Sequence, residues 1–151
     1  MITVHAPLAG TVHPLRELKD PVFAQEIVGP GIVVAPQEIQ QVTAVSPVAG
    51  TVFKIQPHAF VITTDSGSAI LVHLGTDTVL LHGKGFRILV SEGSHVSVGD
   101  PITEWDMSIA KKAGFDHHVA VIALQIGPDH LHPLQPVGTP VLATDPILDI
   151  N

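Results

Sequence analysis

Ten histidines stand among only seven lysines and arginines, with no cysteine anywhere in the chain. Disulfides, thiol catalysis and cysteine–zinc sites are therefore excluded together, and the histidine count points to phosphate or metal chemistry. Two histidines are spaced so that local structure would join them. His58 precedes the apolar run Ala59-Phe60-Val61-Ile62-Thr63, Asp65-Ser66-Gly67 has turn composition, and His73 ends the next run, Ala69 to His73, just before Leu74-Gly75. Two such runs with a short glycine-containing turn between them read as a β-hairpin. A hairpin pairs its first and last residues, so His58 and His73 are expected side by side, among apolar side chains.

The elements that must hold this pair are short and β-rich. Runs at Ile2–Val4, Gly10–His13, Ile32–Ala35, Gln41–Ala44, Gly50–Ile55, Ala59–Thr63, Ala69–His73, Val79–Leu81, Ile102–Trp105, Val119–Ile126 and Pro140–Ala143 read as strands. Glycines and prolines, 13 of each, are spread between them as turn signals rather than gathered into a linker. Short strands with frequent turns indicate an all-β fold, a sandwich or barrel-sandwich hybrid. One or two short helices are expected besides. Met107 to Ala113 with Asp106 or Ser108 as cap is the best candidate, and single turns are expected within Val22–Val28 and Phe86–Ser91.

An internal duplication is visible. Pro7-Leu8-Ala9-Gly10-Thr11-Val12 returns as Pro47-Val48-Ala49-Gly50-Thr51-Val52, an offset of 47 − 7 = 40. Val98-Gly99-Asp100-Pro101-Ile102 is echoed by Val137-Gly138-Thr139-Pro140-Val141, an offset of 137 − 98 = 39. Two copies are too few for a solenoid and suggest a doubled β unit.

The 151 residues suit one domain, 1–151. A mean hydropathy of +0.40 supplies material for a core. No apolar run approaches the roughly 20 residues of a transmembrane helix, and the start lacks a signal-peptide pattern. A soluble, cytoplasmic protein without direct membrane insertion is expected. The net charge is 7 − 14 = −7, which disfavours a nucleic-acid partner and suits a basic protein partner.

Several motifs occur in one fixed order. They are Pro7-Leu8-x-Gly10, Asp20-x-Val22-Phe23-Ala24, Ile27-Val28-Gly29-x-Gly31, Pro47-Val48-x-Gly50-Thr51, His58-Ala59-Phe60, Val72-His73-Leu74-Gly75-Thr76-Asp77-Thr78-Val79, Gly83-Lys84-Gly85-Phe86 and Glu92-Gly93-x-x-Val96-x-x-Gly99-Asp100. In this order they closely resemble the glucose-type enzyme IIA domain of the bacterial phosphoenolpyruvate:sugar phosphotransferase system, over most of residues 1–106. The resemblance implies that His73 accepts a phosphoryl group from the histidine-containing phosphocarrier and passes it to the IIB domain of a sugar transporter. It makes the protein a transferase component. Neutral imidazole suits such a relay, because one ring nitrogen attacks while the other is held as a donor, and Gly75 is the position matching the carbonyl acceptor. By the same resemblance His58 stabilises the phosphoryl oxygens, and the backbone of Gly75, Thr76 and Asp77 adds to that stabilisation. Val22, Phe23, Val28, Phe60, Leu71, Leu74 and Val79 would form an apolar docking face, with Asp20 and Asp77 at its rim.

Three departures matter. Gln56-Pro57 stands where a threonine precedes the first histidine in many members. Leu71 and Leu74 replace phenylalanines, which makes the expected face aliphatic. An amphipathic N-terminal tail is missing, so a free-standing protein or one domain of a fused transporter is expected.

Other readings have less behind them. A regulatory binding module, whose phosphorylation state controls further partner proteins, would use the same face. A zinc hydrolase would need His130-Leu131-His132 as ligands, yet these lie in an expected turn between Asp129 and Pro133 rather than in a strand. No cofactor is expected, apart from a zinc ion shared between His58, His73 and a partner's carboxylate. A biotinyl or lipoyl carrier lacks its lysine, since Lys54, Lys84 and Lys111-Lys112 sit in the wrong contexts. The remaining eight histidines read as ordinary structural residues, with His117-His118 and His130-x-His132 in solvent-facing turns, and Gly29-Pro30-Gly31 reads as a turn rather than a phosphate loop.

Overall fold

A computed structural model describes residues 1–151. Its first strands are β1 (Ile2–His5), β2 (Gly10–Pro14), β3 (Gly31–Ala35), β4 (Gln41–Val45), β5 (Gly50–Gln56), β6 (Ala59–Thr63) and β7 (Ala69–Leu74). The others are β8 (Phe86–Ile88), β9 (His95–Val96), β10 (Pro101–Asp106), β11 (Val119–Ala123), β12 (Leu131–Pro133), β13 (Pro140–Val141) and β14 (Pro146–Ile150). They form an eight-stranded sheet in the order β13-β2-β3-β11-β7-β6-β5-β9 and two three-stranded sheets, β1-β14-β12 and β4-β10-β8. All pairings are antiparallel. The fold is thus all-β, with no closed barrel.

Two short helices interrupt it. α1 (Pro21–Ala24) starts with proline at its first turn, behind Asp20, whose carboxylate accepts the Val22 N–H at 2.9 Å. α2 (Met107–Lys112) is capped by Asp106, which accepts from both the N–H and the hydroxyl of Ser108.

The duplication is a pseudo-twofold in the hydrogen bonding. His5 N–H donates to Pro47 O while Val45 N–H donates to Pro7 O, so residues 40 apart exchange equivalent bonds. In the C-terminal repeat the structure corrects the sequence register. Gly50 pairs with Val96 and Gly10 with Val141; Ala44 pairs with Thr103 and Val4 with Leu148. Both comparisons give an offset of 45 (141 − 96 and 148 − 103), not 39. Gly99 therefore matches Thr144, and the two share a left-handed backbone, φ +88° and +74°. Asp100 and Asp145, next in line, each accept a backbone N–H three residues earlier at 2.8 Å. The conformation was kept where the glycine was not, which hid the match.

Most of the core lies inside the three sheets, around Trp105, Phe60, Ile62, Ile70, Ile102 and Leu148, all at most 1% exposed. A smaller cluster sits on the outer face of the large sheet. There Leu15, Leu18 and Phe23, from the segment after β2, cover Val33, Ala120 and Ile122. β11 is consequently buried on both faces, which accounts for its unbroken apolar sequence.

Some expected elements differ. Thr78–Leu81 is a 3-10 turn, not a strand, because Asp77 before it and His82 after it both adopt left-handed backbone. Phe86–Ile88 is a strand, with Phe86 stacked on Trp105 of β10 at 5.7 Å. His130 and His132 lie in a 3-10 turn and in β12 rather than in open turns. β9, β12 and β14 have no counterpart among the expected strands.

Gly10 and Gly50 begin equivalent strands where a neighbouring backbone comes very close. A Cβ would fall 2.6 Å from Ala35 O at Gly10 and 2.1 Å from Thr63 O at Gly50. Gly50→Ala is expected to lower stability by about 1–3 kcal/mol, the usual size of forced overpacking. Gly10→Ala should cost less, and denaturant titration of both variants checks the order.

Candidate functional site

The site is built by tight strand pairing. β5 and β6 close at the Gln56–Ala59 pair, which leaves Pro57 and His58 as a two-residue turn. β6 and β7 pair Ala59 with His73, and Leu74 N–H donates to the His58 carbonyl at 2.8 Å. The His58 and His73 ring centroids are consequently 5.0 Å apart, edge to face at 74°. His73 has alanines opposite it on both sides, Ala59 on β6 and Ala120 on β11. Small neighbours leave the imidazole room on the sheet surface. Phe23 covers it from α1, at 5.0 Å between centroids.

The His73 ring is fixed by its Nδ1, 2.6 Å from the Gly75 carbonyl oxygen. A carbonyl only accepts, so Nδ1 carries the proton, and the neutral ring keeps an unprotonated Nε2. Gly75 is left-handed, φ +82°, and a Cβ there would lie 2.7 Å from Asp116 O. The turn is stitched at every step. Gly75 N–H donates to His118 O, Thr76 N–H donates to Asp116 O, and the buried Thr78 hydroxyl donates to Leu74 O at 2.6 Å.

These bonds correct part of the sequence reading. The N–H groups of Gly75 and Thr76 are committed to the 116–118 segment and are not donors for a bound anion. Only the Asp77 N–H, of the three, has no acceptor in the chain. His58 differs again: neither of its ring nitrogens is hydrogen-bonded to the protein, although the residue is buried.

Burial dominates the electrostatics. Desolvation lowers the pKa of His73, while the Gly75 hydrogen bond and the charges of Asp20 and Asp77 oppose the fall. His58 is also lowered, by desolvation first and then by its neighbour His73. Both imidazoles are therefore held neutral below the pH at which a free histidine protonates. An unfolded chain binds those protons more readily, so this pair costs stability as pH falls below about 6.5.

The expected docking residues divide. Leu71 lies two residues from His73 on the same sheet face and is half-buried, as is Val28; both pack against the outer cluster. Val22 and Val79 are exposed, on α1 and on the 3-10 turn. Phe60 and Leu74, 1% and 0% exposed, point into the main core. Strand alternation puts them on the face opposite His73, so they cannot meet a partner. Phe23 is also buried and presents its ring to His73 rather than to solvent. The sequence reading missed Ile27 and Leu80, two further exposed apolar residues on these segments. It also missed Asp116 and His118, which act through backbone carbonyls that no side-chain pattern reveals.

Elsewhere, His130 and His132 hydrogen-bond to Asn151, and His117 to Pro36 O. No group of three or more histidines and carboxylates is arranged to share a metal ion. Such a group would be the minimum for a zinc-hydrolase site.

Two outcomes are expected. Nitrogen-15 NMR should give His73 a midpoint below 6.5, with Asp20→Asn lower still, because a charge that opposes burial is removed. Gly75→Ala should lose about 1–3 kcal/mol of stability through strain at a left-handed position and release the Nδ1 proton to rapid exchange.

Comparison with known proteins agrees with this geometry. Residues 2–127 match the family model described as phosphoenolpyruvate-dependent sugar phosphotransferase system, EIIA 1. The chain is 37% identical over 135 residues to the β-glucoside-specific EIIBCA component of Bacillus subtilis, covering 89% of this chain and 22% of that protein. It is 43% identical over 108 residues to the glucose-specific EIIA component of Staphylococcus aureus, covering 70% of this chain and 63% of that one. A third relative, the N-acetylglucosamine-specific EIICBA component of Escherichia coli, is 46% identical over 104 residues, 68% of this chain and 16% of that protein. The chain thus matches less than two thirds of the length of each of these relatives. Among solved structures, glucose permease IIA of Mycoplasma capricolum superposes with a TM-score of 0.84 at 34% identity, over 97% of this chain and 93% of that one. With the family model spanning the hairpin, both histidines and the glycine turn, the chain belongs to the EIIA 1 family of the phosphoenolpyruvate-dependent sugar phosphotransferase system.

Proposed function

We propose that this protein is a phosphohistidine relay in sugar uptake, taking the phosphoryl group on Nε2 of His73. The observation that carries the reading is the Nδ1–Gly75 O bond of 2.6 Å, which leaves Nε2 as an aimed, unprotonated nucleophile. Nε2 attacks the phosphorus of a phosphohistidine on the phosphocarrier. The new P–N bond forms as the donor's P–N bond breaks, and the donor imidazole leaves. Transfer onward reverses the roles: a cysteine thiolate of a IIB domain attacks, the P–N bond to Nε2 breaks, and His73 leaves as neutral imidazole with its Nδ1–H still donating to the Gly75 carbonyl oxygen. No proton has to be stored or delivered by a distant group.

His58 supports the step by position. The one N–H of its uncommitted neutral ring, on an imidazole 5.0 Å from His73, can donate to a phosphoryl oxygen as charge builds there. Asp77 N–H is the backbone donor left for the same purpose. Exposed Val22, Ile27, Val79 and Leu80 would meet the partner's apolar surface, with Asp20 and Asp77 attracting a basic one. A zinc ion at the pair would find two imidazoles here and would need a carboxylate from the partner. No helix is long and apolar enough to cross a membrane, and a cytoplasmic location fits the partners named. The three relatives differ in the sugar of their names, which fits a domain that handles only the phosphoryl group.

Incubation with phosphoenolpyruvate, enzyme I and the phosphocarrier should give an acid-labile, base-stable phosphate on His73. Label on another residue, or none, overturns the relay. His73→Gln should take no phosphate. His58→Gln should accept it at near the normal rate but pass it to IIB at least about tenfold more slowly, the effect of about 1.4 kcal/mol in the transition state. Unimpaired onward transfer by that variant would remove His58 from the mechanism.

A further inference from the structure

The Gly75–Thr76 peptide links the reactive imidazole to a segment no motif marked. Its C=O accepts the His73 Nδ1–H at 2.6 Å, and its N–H donates to Asp116 O at 3.1 Å. In a planar trans peptide the C=O and N–H point in opposite directions. Fixing the N–H end on Asp116 therefore aims the C=O end at His73. The two bonds also polarise one another through the shared amide, which strengthens Gly75 O as an acceptor. Gly75 N–H donates to His118 O, 3.1 Å away, so a second bond holds the preceding peptide to the same segment.

What holds that segment is the Asp116 side chain. Its Oδ1 accepts the His118 N–H at 3.1 Å and its Oδ2 lies 3.5 Å from His118 Nδ1. The carboxylate thus folds residues 116–118 into a local turn that points two carbonyls at Gly75 and Thr76. The side chain is mostly buried, 17% exposed. Glycine at 75 is what permits the approach, since any Cβ would strike Asp116 O.

We infer that Asp116 is a positioning residue for His73: through the Gly75–Thr76 peptide it sets the imidazole tautomer that leaves Nε2 free to react. Asp116 does not touch the reacting atoms. An acceptor oxygen at Oδ1 is the essential feature, so asparagine should replace it and alanine should not.

The test is nitrogen-15 NMR of His73 in wild type, Asp116→Ala and Asp116→Asn, beside phosphate acceptance from the phosphocarrier. Wild type and Asp116→Asn should hold His73 with Nδ1 protonated, whereas Asp116→Ala should populate the Nε2–H tautomer and accept phosphate about tenfold more slowly, the size expected for one lost positioning bond. A wild-type tautomer and rate in Asp116→Ala overturn the inference, as does failure of asparagine to rescue. If Asp116→Ala does not fold, wild-type hydrogen exchange decides. Rotation of one peptide breaks both bonds, so the Thr76 amide and the His73 Nδ1 proton should share one protection factor. A freely exchanging Thr76 amide beside a protected Nδ1 proton overturns it too. The rate arm rests on the relay reading, but the tautomer and exchange arms do not. Wild type that takes no phosphate yet shows the Nδ1–H tautomer would end the relay and leave Asp116 in place.

Discussion

The register joining β6, β7 and β11 is the constraint on which the site depends. Pairing of Ala59 with His73, and of His73 with Ala120, decides which way each β7 side chain points. A slip of one residue would send His73 into the main core and turn Val72 and Leu74 out to solvent. The register is held because Ile70, Val72 and Leu74 are all buried at 1% or less. At about 25 cal/mol for each Å² of apolar surface removed from water, three such side chains together outweigh any local preference of the histidine. The chemistry on one face is thus placed by burial on the other.

A phosphoryl acceptor must be neutral to attack and reachable by a partner, and these demands pull in different directions. Burial keeps the His73 ring neutral, while Asp20 and Asp77 draw it back toward protonation. Asp20 does more than place a charge. Its carboxylate caps the helix that carries Phe23, and Phe23 lies against the His73 ring. One acidic side chain so connects helix formation, the packing of the outer cluster and the protonation of the nucleophile. Gly75 completes the control by fixing which nitrogen holds the proton.

The strands with β-branched sequences and glycine or proline at their ends are legible in the sequence, as are the hairpin, the His58–His73 meeting and the Asp106 cap of α2. Those features are local, and local sequence specifies them. Phe60 and Leu74 read as docking residues because they are apolar and near the histidines. Their position on the strand makes them core, and proximity in sequence does not override the alternation of side chains. Val79–Leu81 has strand composition but is flanked by two left-handed residues, Asp77 and His82, whose backbone no composition reveals. The 45-residue repeat is hidden because Thr144 adopts the conformation that Gly99 has in the other copy. The Asp116 contact is invisible for a deeper reason: it runs through a carbonyl, which every residue possesses.

The duplication explains why there is one site and not two. The pairs Thr11–Ala35 and Thr51–Thr63 relate β3 to β6 by 63 − 35 = 28 residues, so Ala59 matches Gly31. Gly31 pairs with Ile122 as Ala59 pairs with His73, an offset of 122 − 73 = 49. The same rotation carries the His73–Ala120 pair onto Ile122–Leu71, which is indeed a pair in the sheet. Ile122 therefore occupies the position of His73 in the other copy, and Pro30, 58 − 28, that of His58. Where β5 turns into β6 through Pro57 and His58 alone, β2 reaches β3 through residues 15–30. That longer connection covers Ile122 with Leu15, Leu18 and Phe23, so the second copy became a packed cluster. The same cover extends Phe23 across to His73. The site thus arises where the symmetry is broken: one half of the fold provides two imidazoles on an open sheet face, and the other half provides the wall beside them.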